Sequence, residues 1–111
     1  MFRSVLAAFA LLAMPLSAVS AQTYDAYGKG RISAIEASYM PGMINFQLDT
    51  SIGGCAAGQF IVWRPQGSTQ TARDQNAQAV FATLLTAKAS NQSILVYLTS
   101  NGCTATFLYL A

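Results

Sequence analysis

Few residues in this sequence belong to the types that commonly carry out catalysis. The 111 residues include two cysteines and four carboxylates but no histidine, which is the most frequent general base and a frequent metal ligand. The carboxylates stand singly and far apart, at Asp25, Glu36, Asp49 and Asp74. No serine lies in a nucleophile motif such as G-x-S-x-G. The sequence therefore predicts a protein that is not an enzyme and that holds no metal or cofactor.

The two cysteines, Cys55 and Cys103, allow one intramolecular disulfide. We expect it to form if the chain is exported, because oxidising compartments preserve such bonds. It would restrict the unfolded chain by about 4 kcal/mol in the loop-entropy relation. The alternatives are a shared metal site and a reactive thiol. Two thiols without histidine do not supply the four ligands that zinc prefers.

The first 21 residues have the features of a secretory signal peptide. Arg3 precedes a short apolar run from Val5 to Met14, and small residues follow as far as Ala21. A membrane anchor is the alternative, but a span needs roughly 20 apolar residues and this run is shorter. We therefore predict cleavage after Ala21, one domain over residues 22–111, a secreted or periplasmic location and no membrane span in the mature chain.

The predicted mature chain carries little charge. It keeps five lysines and arginines and four carboxylates, so its net charge is 5 − 4 = +1. A net charge of +1 does not provide the basic surface that nucleic-acid binding requires. Contact with a glycan or protein receptor, or with a second copy of the chain, remains open. The candidate ligand-binding residues are Lys29, Arg31, Trp63 and Arg64. The alternative to ligand binding is packing in the core or in an interface for Trp63, and exposure to solvent without a ligand for the two arginines.

The first half of the mature chain predicts three strands and an N-terminal arm. The strands are expected at residues 31–39, 43–49 and 59–64. In the first strand the apolar positions change parity, which predicts a bulge or a bend. The third strand is apolar on both faces and should be central in its sheet or have one face covered by another subunit. Residues 22–28 are expected to form a loose arm, in which Tyr24 and Tyr27 pack on the domain or contact a ligand.

The second half predicts a helix. Apolar residues recur at helical spacing between Asp74 and Ala89. Either Asp74 or Thr71 can cap the first turn, because both side chains accept hydrogen bonds from free backbone N–H groups. Asn91 is suited to the left-handed turn that ends a helix.

A hairpin is expected after the helix. Asn101-Gly102 stands between two β-rich runs, residues 94–98 and 104–110, which is a strong hairpin signal. A two-residue turn there pairs Leu98 with Ala105, and it pairs Val96 with Phe107 on the same face. Both faces of this hairpin are apolar. We therefore expect part of its outer surface to be buried in an oligomer.

The order of predicted elements is three strands, one helix and two strands. An OB-fold has this order and is a five-stranded Greek-key barrel. The sequence thus predicts a β-rich α+β domain, an OB-like five-stranded barrel with one helix between strands three and four.

Several stretches carry a resemblance to a known family. They are Gly30–Ile35, Ala79–Leu85, Gln92–Tyr97 and, within the helix, Leu84–Ser90. In the first three stretches the chain resembles the receptor-binding B subunits of bacterial AB5 toxins, most closely the subtilase-cytotoxin B type. Leu84–Ser90 resembles related small secreted bacterial proteins of unknown function. The resemblance implies a homopentamer with helices around a central pore and glycan sites on the outer face. The sugar-binding residues of that family do not carry over, since Lys29 stands in place of a serine and Leu98 follows Tyr97.

Two functions follow from these features. The first is a secreted or periplasmic binding protein without enzymatic activity, an oligomer similar to toxin B subunits that recognises a carbohydrate or protein receptor. The second is a structural or accessory protein of the bacterial envelope with no small-molecule ligand. A hydrolase is disfavoured by the missing histidine and the scattered carboxylates, whereas an inhibitor would leave no mark in the sequence.

Overall fold

A computed structural model of the chain describes residues 23–111, so the predicted signal peptide lies outside the described residues. The described part contains six strands and one helix: β1 (Ala26–Gly30), β2 (Ile32–Glu36), β3 (Ile44–Leu48), β4 (Phe60–Trp63), α1 (Gln70–Ala89), β5 (Ile94–Thr99) and β6 (Thr104–Leu110). The β-rich α+β class is as predicted, but there are six strands rather than five. The helix lies between β4 and β5, which are the stretches predicted as strands three and four.

The additional strand is β1, in the region predicted to be a loose arm. It pairs antiparallel with β5, and Ala26 lies opposite Leu98 while Gly30 lies opposite Ile94. The prediction was wrong because β1 contains two glycines in five residues, and glycine is depleted in strands. Packing explains one of them, since a Cβ atom at Gly28 would lie 3.2 Å from Cγ1 of Ile52. Tertiary contact rather than local preference therefore forms this strand.

All six strands belong to one sheet with the order β1-β5-β6-β4-β3-β2. Only the β4–β6 pair is parallel. The two end strands, β1 and β2, follow each other in the chain with Arg31 alone between them. β4 has neighbours on both sides, as its two apolar faces predicted. The register between β2 and β3 shifts between Ile32 and Ala34, which confirms the predicted irregularity of the first strand.

The core consists of the inward faces of these strands and one side of α1. The alternation predicted for β3 is confirmed, because Ile44, Phe46 and Leu48 are buried while Asn45 and Gln47 are only half-buried. The buried residues contributed by β5 and α1 are Ile94, Val96, Leu98, Ala77, Leu84 and Ala87. A domain of this size buries a modest share of its surface, so these few side chains are important for its stability.

The helix begins one turn earlier than predicted. Its N-cap is Thr69, whose Oγ1 accepts a hydrogen bond from the N–H of Ala72 at 3.1 Å. Asp74 and Thr71 lie inside the helix instead. Asp74 accepts from the side-chain amide of Gln70 at 2.7 Å. Apolar residues at helical spacing begin only after the first turn, so the sequence pattern did not predict that residues 70–73 are helical.

The end of the helix agrees with the prediction. Asn91 has a φ of 52°, in the left-handed region. The N–H of Gln92 donates to the carbonyl of Ala87 at 2.8 Å, and the N–H of Asn91 donates to Lys88 at 3.3 Å. These two hydrogen bonds form a Schellman motif, in which the last free carbonyls of the helix find donors.

The predicted disulfide is present between Cys55 and Cys103, whose Cα atoms lie 5.9 Å apart. Both cysteines are buried, and Ile52 forms a short antiparallel bridge with Cys55. The disulfide thus ties the loop between β3 and β4 to the turn between β5 and β6. Within residues 23–111, no helix is long and apolar enough to cross a membrane.

Candidate functional site

The outer face of three neighbouring strands, β1, β5 and β6, carries a group of aromatic side chains. The sheet register places Tyr27 opposite Tyr97 and places Tyr97 opposite Phe107. The next row contains Lys29, Leu95 and Tyr109 in the same order. Tyr24, just before β1, packs beside them. We call the five rings together the aromatic face; its members are Tyr24, Tyr27, Tyr97, Phe107 and Tyr109.

Tyr97 is the centre of the aromatic face. The ring of Tyr24 meets it edge-on with centroids 4.8 Å apart, and the rings of Phe107 and Tyr109 do so at 6.1 Å. Tyr27 stacks on Tyr97 at 5.2 Å with an angle of 22° between the planes. Edge-on and offset-stacked pairs are both favourable, because neither places the negatively polarised face of one ring directly against that of the other. The rings therefore hold one another in place.

Much of this aromatic surface is exposed. Tyr27 is 66% exposed, Tyr109 is 51% exposed and Phe107 is 41% exposed. The four tyrosine hydroxyls of the face form no hydrogen bond with any residue in the described part of the chain. An exposed group of rings with free hydroxyls has both the apolar surface and the polar groups that recognition of another molecule uses.

A β-bulge at Thr106 produces the aromatic face. Leu98 pairs with Ala105 as predicted, but the register then shifts, so that Phe107 pairs with Tyr97 rather than with Val96. A shift of one residue turns every following side chain to the other face. The prediction that Phe107 shares the inward face of Val96 was therefore wrong. The bulge moves Phe107 and Tyr109 outward and leaves Leu108 packed against the core.

Polar contacts fix the edge of the aromatic face next to the hairpin turn. The hydroxyl of Thr106 donates to the carbonyl of Thr23 at 2.6 Å, and the hydroxyl of Thr99 donates to the same carbonyl at 3.2 Å. Asp25 accepts from the N–H and the hydroxyl of Ser100 at 2.9 and 3.0 Å. Ser100 Oγ also accepts from the N–H of Gly54. These bonds join the residues before β1 to the hairpin turn and to the disulfide loop.

A second feature is a surface pocket of about 240 Å³ beside the start of the helix. It lies between the turn after β2, the end of β4 and the first turn of α1. Its lining residues are Pro41, Gly42, Arg64, Pro65, Gln70 and Arg73. Arg73 donates to the carbonyl of Gly67 and to Oε1 of Gln70, both at 3.2 Å. Arg64 is exposed, and its guanidinium has no hydrogen-bond partner among residues 23–111.

The four predicted ligand-binding residues do not form one site. Lys29 lies on the strand face that carries the aromatic rings, whereas Arg64 lines the pocket. Arg31 connects elements, since its Nε donates to the carbonyl of Asn91 at 3.2 Å and its N–H donates to Asp49. Trp63 is 5% exposed, so its ring packs in the core rather than facing a ligand. Its indole N–H donates to Oδ1 of Asn76 at 2.9 Å.

The aromatic face itself was not predicted from the sequence. Of its five residues, the sequence suggested ligand contact only for Tyr24 and Tyr27, as an alternative to packing on the domain. The signal available was the occurrence of aromatic residues on both sides of Asn101-Gly102, at Tyr97, Phe107 and Tyr109. Without the bulge, an ideal hairpin places Tyr97 and Phe107 on opposite faces, so the three rings did not appear to converge.

Residues 23–111 contain no group of three or more potential metal ligands. One carboxylate is electrostatically perturbed: the backbone N–H of Arg31 and the hydroxyl of Thr50, which both donate to Asp49, hold the pKa of its carboxyl below the ordinary value of 3.8. These contacts connect the junction of β1 and β2 to the end of β3, and they have a structural role.

Comparison with known proteins identifies no relative. No protein-family model, no curated protein and no solved structure matches this chain. The sheet, the aromatic face and the two-arginine pocket therefore provide the basis on which a function can be inferred.

Proposed function

We propose that the chain is an exported binding protein without enzymatic activity, and that its aromatic face recognises a carbohydrate or protein receptor. One observation supports this function most strongly: five rings converge on the outer side of β1, β5 and β6, and three of them are more than 40% exposed. Tyrosine combines a rigid apolar ring with a hydroxyl, which suits contact with the C–H faces and hydroxyls of sugars as well as with protein surfaces.

The position of Lys29 supports the same role for the face. It lies next to Tyr27 on β1 and opposite Leu95, so a cation borders the rings. An ammonium group supplies three hydrogen-bond donors beside rings that supply hydroxyls. Lys29 is therefore the candidate from the sequence that fits this face best.

The strand order supports an OB-like barrel. The end strands of the sheet, β1 and β2, are joined through Arg31 alone, so the end of β1 lies close to the start of β2, as in a sheet that curls toward a barrel. The parallel pairing of β4 with β6 and the helix between β4 and β5 also suit that Greek-key order. In this interpretation β1 and β2 are two halves of one bent strand, which reconciles six strands with the five of an OB-fold. OB-folds bind oligosaccharides and oligonucleotides, and the near-neutral charge here favours the former.

Export is supported by the N-terminal sequence and by the disulfide. Disulfides form and persist in oxidising compartments such as the periplasm and the extracellular space. The Cys55–Cys103 bond links two loops of a small domain, which is the context in which a disulfide contributes most to stability. We infer that the mature protein functions outside the cytoplasm.

The outer side of α1 supports assembly with further copies of the chain. The exposed positions of its middle and last turns carry no charge except at Lys88; the uncharged ones are Gln75, Gln78, Ala79, Ala82, Leu85, Thr86 and Ala89. Leu85 is 46% exposed at the middle of this surface. Leu85 and the neighbouring alanines give this side of the helix an apolar patch without charge, which a second copy of the chain can cover. A homopentamer, as in toxin B subunits, is the assembly that the sequence resemblance suggests.

Binding through the aromatic face is tested on a glycan array. The protein is produced from the complete 111-residue sequence in an exporting bacterial host and purified in oxidised form. We expect selective binding that Tyr27→Ala weakens by about tenfold or more, because exposed aromatic contacts often dominate recognition. Tyr39→Ala is the matched control, since Tyr39 is 57% exposed but lies in the turn before β3. An array without signal at high protein concentration would contradict a carbohydrate ligand.

Assembly is tested by light scattering after gel filtration. We expect a discrete oligomer that Leu85→Glu dissociates, because the substitution adds a charge to the uncharged side of α1. Tyr39→Glu adds the same charge at another exposed apolar side chain, in the turn before β3, and should leave the oligomer intact. A monomeric wild-type protein would contradict assembly through the helix without affecting the case for the aromatic face.

The same uncharged helix face favours a second candidate function, that of a structural or accessory envelope protein with no small-molecule ligand. In that case the wild-type protein copurifies from cell envelopes with one defined partner, and Leu85→Glu abolishes the association. Tyr27→Ala would leave that association unchanged, which separates this function from recognition by the aromatic face.

A further inference from the structure

We propose that the pocket between Arg64 and Arg73 is a binding site for the carboxylate of a small acidic ligand. This site is separate from the aromatic face, and it is independent of whether that face binds a receptor. Two of the three arginines within residues 23–111 line this one pocket. Arginine presents a planar fork of N–H donors that matches a carboxylate in two-point contact.

The guanidinium of Arg73 is held in position by neutral groups. Gly67 accepts from one terminal nitrogen through its carbonyl, and Gln70 accepts from the other through Oε1. Nε2 of Gln70 in turn donates to Asp74 at 2.7 Å, which fixes the orientation of the Gln70 amide. A guanidinium has five N–H groups, so these two bonds leave three donors without a protein partner in the described residues. Arg73 is thus oriented without being neutralised.

Arg64 supplies the second cation of the pocket. It follows directly after β4, whose pairing with β3 and β6 fixes the position of its backbone. None of its guanidinium donors bonds to another described residue. The two guanidinium groups both keep their positive charge and repel each other across one small pocket, so an anion between them removes an unfavourable interaction as well as forming new hydrogen bonds.

The remaining walls favour a ligand with a carbon skeleton. Pro41 and Pro65 contribute apolar rings of fixed backbone conformation, which lose no freedom on binding. A free inorganic ion prefers polar contacts on all sides, whereas a carboxylate joined to a carbon skeleton places its carbons against such rings. At about 240 Å³ the pocket is smaller than the pockets of about 300–1,000 Å³ that hold drug-sized ligands, which suits a single sugar or amino-acid unit.

The start of the helix adds to the positive potential. The first turn of α1 contains no acidic residue, and the N-terminal end of a helix carries partial positive charge. The nearest carboxylate in sequence, Asp74, accepts a hydrogen bond from Gln70. The helix end strengthens the field that the two arginines create, whereas the Asp74 carboxylate, joined to the pocket through Gln70, partly offsets it.

The test is a titration followed by amide chemical shifts in NMR spectra, with the exported and oxidised protein made from the complete sequence. The probes are glucuronate, its neutral counterpart glucose, and inorganic phosphate, all at constant ionic strength. We expect glucuronate at millimolar concentration to cause saturable shifts at Arg64, Gln70 and Arg73, and we expect glucose to cause none. Arg64→Gln should weaken binding by about tenfold or more, because it removes charge-assisted hydrogen bonds.

Arg31→Gln is the control variant. It removes the same charge from an exposed arginine outside the pocket, and it should leave the binding constant unchanged. Arg64→Gln is preferred to a substitution at Arg73, because Arg73 also supports the loop at Gly67. Absence of saturable shifts at the pocket, an equal response to glucose, or equal weakening by Arg31→Gln would overturn the proposal. Phosphate binding as tight as that of glucuronate would also overturn it, since the site would then recognise charge alone.

Discussion

Tyr27 of β1 lies stacked on Tyr97 of β5, with ring centroids 5.2 Å apart and an angle of 22° between the planes. The two residues are direct partners in the sheet register. Tyr97 is half-buried beneath its neighbours, whereas Tyr27 forms the exposed edge of the group. The two rings therefore have separable roles, because Tyr97 supports the aromatic face and Tyr27 presents it to solvent.

We expect Tyr97→Ala to lower the free energy of unfolding by about 3 kcal/mol, because it removes a ring that contacts four others. Tyr27→Ala should lower it by less than about 1 kcal/mol, since most of that ring is exposed. Urea unfolding followed by tryptophan fluorescence measures both values. Equal effects of the two substitutions would show that Tyr97 is not the centre of the face.

Two glycines of the loop between β3 and β4 provide a test of how tightly the disulfide loop packs. Gly53 has a φ of 55°, and a Cβ there would lie 2.6 Å from both Ala26 Cβ and Ser100 Oγ. Gly58 has a φ of 80°, with nothing within 4 Å of such a Cβ. We expect Gly53→Ala to cost about 3 kcal/mol or more, and Gly58→Ala only the backbone cost of about 1 kcal/mol. Urea unfolding of both variants checks this, and similar costs would contradict the close packing at Gly53.

The structure places the N-cap of α1 at Thr69, whereas the sequence suggested Asp74 or Thr71, and this difference can be tested. Thr69→Ala should destabilise the protein by about 1 kcal/mol, because it removes the acceptor for the N–H of Ala72. Thr71→Ala should stay within about 0.5 kcal/mol of the wild type, since Thr71 lies inside the helix. Thermal unfolding by circular dichroism measures both. The reverse order would favour the cap that the sequence suggested at Thr71.

The elements that could be predicted from the sequence are those with strong local signals. The alternation in β3, the helix end at Asn91 and the single possible pairing of two cysteines are of this kind. So is the hairpin around Asn101-Gly102, although four residues, 100–103, connect its strands rather than the predicted two. In each case the residues that form the feature are close in sequence or have no competing partner. Tertiary packing reinforces these local preferences rather than opposing them.

The remaining features depend on contacts that local patterns do not describe. β1 forms because Gly28 fits closely against Ile52 and the strand pairs with β5, although its composition opposes a strand. The aromatic face depends on one inserted residue, Thr106, whose hydroxyl bonds to Thr23, 83 positions away in sequence. A hairpin signal sets the register at the turn but not beyond a bulge. The candidate site was missed for that reason.

The disulfide is expected to provide much of the stability of the domain. Its cysteines are separated by 48 positions, so the double substitution of Cys55 and Cys103 by alanine should cost about 4 kcal/mol. The thermal midpoint should fall by about 20 °C, as expected for a domain of this size. Scanning calorimetry of the variant and of the reduced wild type checks this. An unchanged midpoint after complete reduction, verified by thiol titration, would contradict a stabilising bond.

The pH dependence of stability should reveal the contact between Asp49 and the chain at Arg31. The N–H of Arg31 and the hydroxyl of Thr50 lower the pKa of Asp49 in the folded state below its ordinary value of 3.8. A lowered folded pKa means that the ionised carboxylate stabilises the fold above pH 3.8, and that this contribution is lost as the pH falls through the folded pKa. Asp49→Asn keeps a side-chain oxygen that can accept from Arg31 but removes the charge.

We therefore expect Asp49→Asn to be less stable than the wild type at neutral pH, and the difference to disappear at strongly acidic pH. Urea midpoints measured across the acidic range, at low and at high salt, check this. Because Asp49 is exposed, added salt should reduce the difference at neutral pH. A difference between the two proteins that stays constant through the acidic range would show that the charge of Asp49 does not contribute, and that only the shape of its side chain matters at the junction of β1 and β2.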